Sequence, residues 1–222
     1  MIAALRPPLG AAALLLLVAG CAAPLQVGPD PAWFGRGEEP TTNKAAGRVA
    51  LWVPPQVAAA ENVSERPLGG DANLHVPVGR IVELAARQAL GDVLDGGVQA
   101  VASMPAPGAG QSATLVVDTI RCVDRVRVLW LLPMPILGVI GDSQIEVQLT
   151  FDLRLIDARG GTVWTRSYDS GTVVWKRPPG RSESLPAGIV RLAHEAAWRL
   201  SQQAANDLRE WLEAERVKPR EL

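Results

Sequence analysis

The chain has 222 residues, of which 48% are apolar and 20% are charged, and its formal net charge is −1. A chain of this length and composition is expected to form one ordinary globular domain with additional segments. The 22 Lys and Arg residues are balanced by 23 Asp and Glu residues, so on average the chain lacks the concentrated basic surface that neutralises nucleic-acid phosphates. We therefore expect no nucleic-acid partner.

Residues 1–20 have the composition of an export signal. Arg6 lies near the amino terminus, and an uncharged run from Pro7 to Gly20 follows it. That run is shorter than the ~20 apolar residues that a membrane-spanning helix needs. A short basic region followed by a short apolar region is typical of a secretory signal peptide, which is removed from the mature protein.

The signal ends in Leu17-Val18-Ala19-Gly20-Cys21, which resembles the lipobox of bacterial lipoproteins. The resemblance implies cleavage before Cys21, a diacylglyceryl group on its sulfur and acylation of the new amino terminus. Several acyl chains, at ~0.8 kcal/mol for each buried methylene, would make the membrane anchor effectively permanent. Ala22 stands where an Asp would signal retention at the inner membrane, so we expect the periplasmic face of the outer membrane. No cofactor other than this covalent lipid is expected.

Residues 21–47 are predicted to form a flexible, lipidated tether, and residues 48–222 a single periplasmic domain. The tether is rich in Pro and Gly and has no apolar period, which is typical of a linker. Trp33 and Phe34 within it could dock on the domain or lie at the level of the lipid head groups. If Cys21 carries lipid, Cys122 has no partner for a disulfide, and we expect it to be buried as a small apolar residue.

The first half of the domain predicts a strand, a loop and a helix. Residues 48–53 form a short apolar run that ends at Pro54-Pro55, as a strand would. Residues 58–74 read as a loop. Residues 76–95 have an apolar stripe at helical spacing, and Gly96-Gly97 ends it because glycine readily adopts the left-handed conformation found at helix ends.

The second half predicts antiparallel strands and a closing helix. A short strand at 98–103 and a β-branched strand at 113–130 are followed by residues 144–155, where apolar and polar residues alternate throughout. Such alternation indicates a half-buried strand with one wet face. Residues 157–161 have the composition of a hairpin turn, and 162–176 form the returning strand with a break at Ser170-Gly171. An apolar stripe from Pro186 to about Arg216 predicts a long amphipathic helix.

This order of elements predicts an α+β fold. We expect a two-layer sandwich in which an antiparallel sheet carries both helices on one face, in the order β-α-β-β-β-α.

The same layout resembles two groups of small Gram-negative outer-membrane lipoproteins. One group is the auxiliary lipoproteins of ABC-type and MCE-type transport systems, and the other is the YajG-like lipoproteins. The resemblance is carried by the helix around 78–94 with Gly96-Gly97, by the hairpin Leu155-Ile156-Asp157-Ala158-Arg159-Gly160-Gly161-Thr162-Val163-Trp164 and by the closing helix. It implies an accessory subunit of an envelope lipid-transport or assembly system, with an envelope protein as partner and a lipid as possible ligand. Neither group has a catalytic motif to carry over.

Residues 128–141 depart from these groups because they contain no charge. They join two long strands, so they are expected at the tip of a hairpin, where polar residues are usual. One interpretation is a surface that contacts a membrane or an apolar partner; the other is a segment that folds back over the sheet as core. The candidate contact residues are Trp130, Leu131, Leu132, Met134, Ile136 and Leu137.

Other candidate sites are few. Arg121, Arg125 and Arg127 share one strand face and could bind an anionic group, although a solvated or ion-paired basic face is the simpler interpretation. His75 and His194 are expected to be surface or capping residues, and no metal-ligand spacing is present. The chain is therefore predicted not to be an enzyme. The alternative is a lipid-anchored hydrolase that acts on envelope material.

Overall fold

The computed structural model describes residues 25–34, 44–64, 73–106, 113–129, 142–176 and 184–217. The elements in chain order are β1 (Leu25–Gln26), a 3-10 turn (Pro31–Trp33), β2 (Val49–Trp52), α1 (Pro55–Ala58), β3 (Asn62–Ser64), β4 (Leu74–Val76), α2 (Val78–Val93), β5 (Val98–Val101), β6 (Ala113–Leu129), β7 (Asp142–Asp157), β8 (Thr162–Asp169), β9 (Val173–Lys176) and α3 (Leu185–Val217).

The main sheet is built around the antiparallel pair of β6 and β7, which are 17 and 16 residues long. Its order is β5-β2-β6-β7-β8, and β9 pairs with β7 beyond the end of β8. Alternate residues of β7 enter the core because side chains of a strand point to opposite faces. The buried set is Ile145, Val147, Leu149, Phe151, Leu153 and Leu155. The predicted alternation is thus confirmed, as is the break at residues 170–171, where Gly171 has a φ of 59°.

The α+β fold class is confirmed, but the sheet is mixed rather than antiparallel. Strand β2 runs parallel to both of its neighbours, β5 and β6. The reason lies in the connection, because β2 and β5 are joined through α2, and a helical crossover returns the chain to the same end of the sheet. The expectation of a wholly antiparallel sheet was wrong for this edge.

Residues 58–74 were expected to form a loop, but they contain strand β3 and the first residue of β4. Strand β3 pairs antiparallel with β4, and β4 pairs in parallel with β1. Together they form a second, three-stranded sheet in the order β1-β4-β3. It is attached to the main sheet through Asp124 of β6, which accepts hydrogen bonds from Asn62 Nδ2 and Ser64 Oγ, both at 2.6 Å.

The two long helices, α2 and α3, contact one another and share a single apolar core with the inner face of the main sheet. Both helices contribute small residues to this core, which allows close approach of their backbones. The buried alanines are Ala85, Ala86, Ala89, Ala193, Ala196, Ala197, Ala204 and Ala205. Both long helices of the described ranges lie on this inner face, as the two-layer prediction requires.

Much of the predicted tether packs on the domain. Phe34 is 5% exposed and Ala45 is 2% exposed, and the Ala45 N–H donates to the carbonyl of Val93 at 2.8 Å. At residues 25–34 and 44–47 the expectation of a flexible tether was therefore wrong. The physical reason is burial, because Phe34 stacks on Trp198 of α3 with their centroids 5.6 Å apart. The free energy gained by removing this aromatic ring from water is large enough to hold a segment whose Pro- and Gly-rich composition is typical of a linker.

Candidate functional site

The open face of the main sheet carries the arginines that the sequence singled out. Arg121, Arg125 and Arg127 are exposed on the part of β6 that pairs with the first half of β7. Their partners in register are Thr150, Glu146 and Gln144. On the far side of β7, Lys176 of β9 lies opposite Gln144. Strand pairing therefore brings a fourth basic residue to this surface, one that sequence reasoning missed because β9 follows a break.

Acidic groups neutralise this surface only in part. Arg127 Nε lies 3.3 Å from Glu146 Oε1, and Gln144 Nε2 donates to the same oxygen at 2.8 Å. Within the described stretches, no hydrogen bond or ion pair joins Arg121 or Arg125 to another residue. Nearer the start of β6, by contrast, Asp118 forms a bidentate pair with Arg154 of β7, at 2.7 and 3.0 Å, so these two charges cancel.

Two apolar side chains lie among these basic groups. Val123 of β6 and Val174 of β9 are each 45% exposed. We define the basic strip as Arg121, Val123, Arg125, Arg127, Val174 and Lys176. Its four cations and the carboxylate of Glu146 give a formal charge of +3, and Asp152 and Asp169, which lie on the same face beside Arg121, reduce the charge of the wider surface to +1. The structure thus brings the three predicted arginines together, and their binding of an anion stays a prediction.

His194 was expected at the surface or at a helix end, and that expectation was wrong. Its side chain lies in α3 and is fully buried. Nε2 accepts a hydrogen bond from the N–H of Asp30 at 3.1 Å, so Nδ1 carries the proton and donates to the carbonyl of Val190 at 2.8 Å. Burial lowers the pKa of His194, against smaller opposing effects of the Val190 hydrogen bond and the Asp30 charge.

The surroundings of His194 give it a structural role. The rings of Trp33 and Phe34 lie 6.2 and 5.6 Å from its imidazole, between centroids. Both ring nitrogens are engaged, and no part of the residue reaches solvent, so this geometry offers no general base for the hydrolase alternative. We call the contact of residues 30–34 with His194 and Trp198 the N-terminal latch.

His75 lies on β4, with Nδ1 at 2.9 Å from Oε2 of Glu61. Glu61 also lines an open groove of about 660 Å³ between α1, the start of α2 and the end of β5. The groove has an apolar wall, and Arg80 and Glu83 at its edge form an ion pair of 2.8 Å. The charged side chains that line the groove are thus already paired, Glu61 with His75 and Arg80 with Glu83. They do not form an arrangement of catalytic groups.

Cys122 is partly buried and packs against the core, as expected. Burial, with a smaller contribution from the charge of Asp124, raises the pKa of its thiol from 9.0 to about 12. A shift of this size lowers the thiolate fraction roughly a thousandfold near neutral pH. The thiol is therefore expected to react slowly in the folded protein.

We expect iodoacetamide to label Cys122 at least about a hundredfold more slowly in the folded protein than in urea, because only the thiolate reacts. The Cys21→Ser variant is suited to this measurement, since Cys122 is then the only cysteine of the chain. The labelling is carried out at pH 8 and its extent is followed by mass spectrometry. Equal labelling rates with and without urea would contradict the burial of this thiol.

Cys21 and the candidate contact residues between 130 and 137 lie outside the described residues. The ladder of β6 and β7 extends to the pair Leu129 and Asp142, so residues 130–141 join the paired ends of the two strands. Within the described ranges, no helix is long and apolar enough to cross a membrane. The same part of the chain contains no group of three or more His, Cys, Asp and Glu side chains that could hold a metal ion.

Neither a protein-family model nor a curated protein matches this chain. Among solved structures, a Xanthomonas campestris protein described by the family model DUF330 is 12% identical over 86% of this chain and 96% of its own, with a TM-score of 0.40. A Helicobacter pylori homologue of the neuraminyllactose-binding hemagglutinin is 8% identical over 83% and 97%, with a TM-score of 0.47. A Caulobacter crescentus lipoprotein is 15% identical over 77% and 91%, with a TM-score of 0.37. No family assignment follows from these values.

Proposed function

We propose that the chain is a non-catalytic, lipid-anchored protein of the bacterial envelope, attached at Cys21 to the periplasmic face of the outer membrane. The observation that carries the proposal is the lipobox-like sequence 17–21, which ends four residues before Leu25, the first residue of β1. An acyl anchor at this position would hold the whole domain at a membrane without any spanning helix.

The proposed role is that of an accessory subunit in an envelope lipid-transport or assembly system. Two features support a binding role: the sheet face opposite α2 and α3, and the uncharged run that joins β6 to β7. A run of this composition between two long strands is suited to an apolar partner or a lipid. The proposed contact residues are Trp130, Leu131, Leu132, Met134, Ile136 and Leu137.

Leu131→Asp and Ile136→Asp should each abolish recovery of the bound envelope protein or lipid when the native lipoprotein is isolated from membranes. A carboxylate at an apolar contact costs several kcal/mol of desolvation, which corresponds to at least about a hundredfold weaker binding. The measurement is a pull-down with mass spectrometry of proteins and lipids.

The control variant is Gln203→Asp, which places the same charge on an exposed position of α3. It should leave the bound material unchanged. Unfolding of the Leu131→Asp and Ile136→Asp variants, seen as a lost thermal transition, would show instead that residues 128–141 belong to the core. Recovery of the same partners by all three variants would also contradict the proposed contact.

A further inference from the structure

The distance between the proposed anchor and the folded domain is short. Leu25 is hydrogen-bonded into the three-stranded sheet, in register with Leu74 of β4, and Cys21 precedes it by four residues. At ~3.6 Å per residue, this stretch spans at most about 14 Å. The N-terminal latch fixes the other end of the same segment on α3. An anchored domain therefore lies against the bilayer instead of being suspended far from it.

The attachment point lies beside the distal half of β6. Leu74 pairs with Ser64 of β3, and the Ser64 hydroxyl donates to Asp124 of β6 at 2.6 Å. Two strand spacings of ~4.8 Å and one side-chain contact therefore separate Leu25 from β6. Asp124 is flanked in sequence by Val123 and Arg125, whose side chains point to the opposite, open face of the sheet.

The basic strip thus lies on the part of the molecule that the anchor holds near the membrane. Its cations are exposed, and the guanidinium groups of Arg121 and Arg125 make no ion pair within the described stretches. Val123 and Val174 add exposed apolar surface between the charges. A row of basic side chains with small apolar residues among them complements the phosphate-bearing head-group region of an anionic bilayer.

We propose that the basic strip is a membrane-contact surface that seats the anchored domain on anionic lipid head groups. The inference rests on the proposed lipid anchor at Cys21. Basic residues near an anionic surface each strengthen the contact about fivefold, so the strip gives the domain one preferred orientation. The hairpin of β6 and β7 is then oriented by the membrane as well.

The experiment uses the acylated protein, purified with its lipid and reconstituted into vesicles. A polarity-sensitive fluorophore is attached through Val123→Cys at an exposed position, which is selective because Cys122 is partly buried and its thiol has a raised pKa. Vesicles of phosphatidylcholine alone are compared with vesicles in which about one lipid in four is phosphatidylglycerol. We expect the emission to report a lipid environment only with phosphatidylglycerol and to lose this signal at about 1 M salt, where charges are screened within ~3 Å.

The test variant is Arg121→Glu combined with Arg125→Glu. In this variant the ratio of domains whose strip contacts the head groups to domains whose strip does not should fall by at least about 25-fold. The protein should stay in the vesicle fraction. The matched control, Arg87→Glu with Arg159→Glu, changes the net charge equally at exposed positions of α2 and the turn after β7 and should leave the signal unchanged.

The outcomes separate the two proposals. If the protein does not co-sediment with either kind of vesicle, the lipid anchor itself fails, and this inference fails with it. If it co-sediments but the fluorophore reports water in both kinds of vesicle, the anchor stands and the seating surface is refuted. A signal that is independent of phosphatidylglycerol and rises with protein density would instead assign the strip to contacts between copies of the chain.

Discussion

Gly79→Ala is expected to destabilise the domain by about 2–4 kcal/mol, because the added methyl group overpacks a buried site. A Cβ at this position would lie 2.2 Å from the carbonyl oxygen of Val57 and 2.6 Å from that of Ala58. Both are backbone atoms of α1, so no side-chain rotation can relieve the overlap. The helices must separate, which also weakens the hydrogen bond from the Gly79 N–H to the carbonyl of Ala60 at 3.0 Å.

The same helix supplies the control. Gly91 lies in α2, and a Cβ there would meet nothing within 4 Å. Gly91→Ala is therefore expected to stabilise the domain by about 0.5–1 kcal/mol, because alanine favours the helix. Urea unfolding of both variants should show opposite changes in the free energy of unfolding. A stabilising effect of alanine at both positions would contradict the close packing of α1 on α2.

The elements that sequence analysis predicted correctly are those with a sustained period. Strand β7 and helix α2 each repeat their buried positions over many residues, so the pattern reports burial directly. Strands β3 and β4 have three residues each, too few for a period to be recognised. The parallel pairing of β2 could have been inferred, because a strand, a helix and a strand in succession are typical of a parallel crossover.

The candidate site was predictable in part for a related reason. Alternation along β6 placed Arg121, Arg125 and Arg127 on one face, whereas Lys176 joins them only through the register of β9 with β7. That register depends on tertiary pairing after a break in the strand. The sequence therefore indicated a basic surface on β6, and only the fold showed that Lys176 of β9 belongs to it.

The burial of His194 could not be inferred from the sequence, because its partner is distant. The N–H of Asp30 lies 164 residues away along the chain, and a polar residue in an apolar stripe is acceptable only where such a partner exists. The same contact makes residues 30–34 of the predicted tether part of the domain. Local composition correctly identified an irregular segment, but it contained no information about what covers that segment.

The stability of the domain is expected to fall as the pH decreases below 6.5, in a manner that depends on His194. Burial lowers the pKa of this residue in the folded protein below its ordinary value of 6.5. Between the two pKa values the unfolded chain binds a proton that the folded protein does not, so the free energy of unfolding decreases by about 1.4 kcal/mol per pH unit. The stability that neutral His194 contributes is fully present above pH 6.5. It is lost as the pH falls from 6.5 to the lower pKa of the folded protein.

His194→Gln isolates this effect, because a glutamine oxygen can still accept the hydrogen bond from Asp30 and does not titrate. We expect the variant to be about 1–2 kcal/mol less stable at pH 7.5, since the ring contacts with Trp33 and Phe34 are lost. This deficit should be smaller at pH 5.5, because acidification below 6.5 destabilises the native protein through His194 and leaves the glutamine variant unaffected at this position. The measurement is urea unfolding at both pH values, compared as a double difference so that the carboxylates common to both proteins cancel.

The control for this measurement is His75→Gln, which removes the only other histidine of the chain. His75 is partly exposed beside Glu61, outside the N-terminal latch, so this variant should keep the difference between pH 7.5 and 5.5 that His194 produces. If His194→Gln and the native protein lose stability in parallel on acidification, the imidazole is not held neutral by the latch. A parallel loss would also mean that the contact of residues 30–34 with α3 does not depend on the protonation of His194.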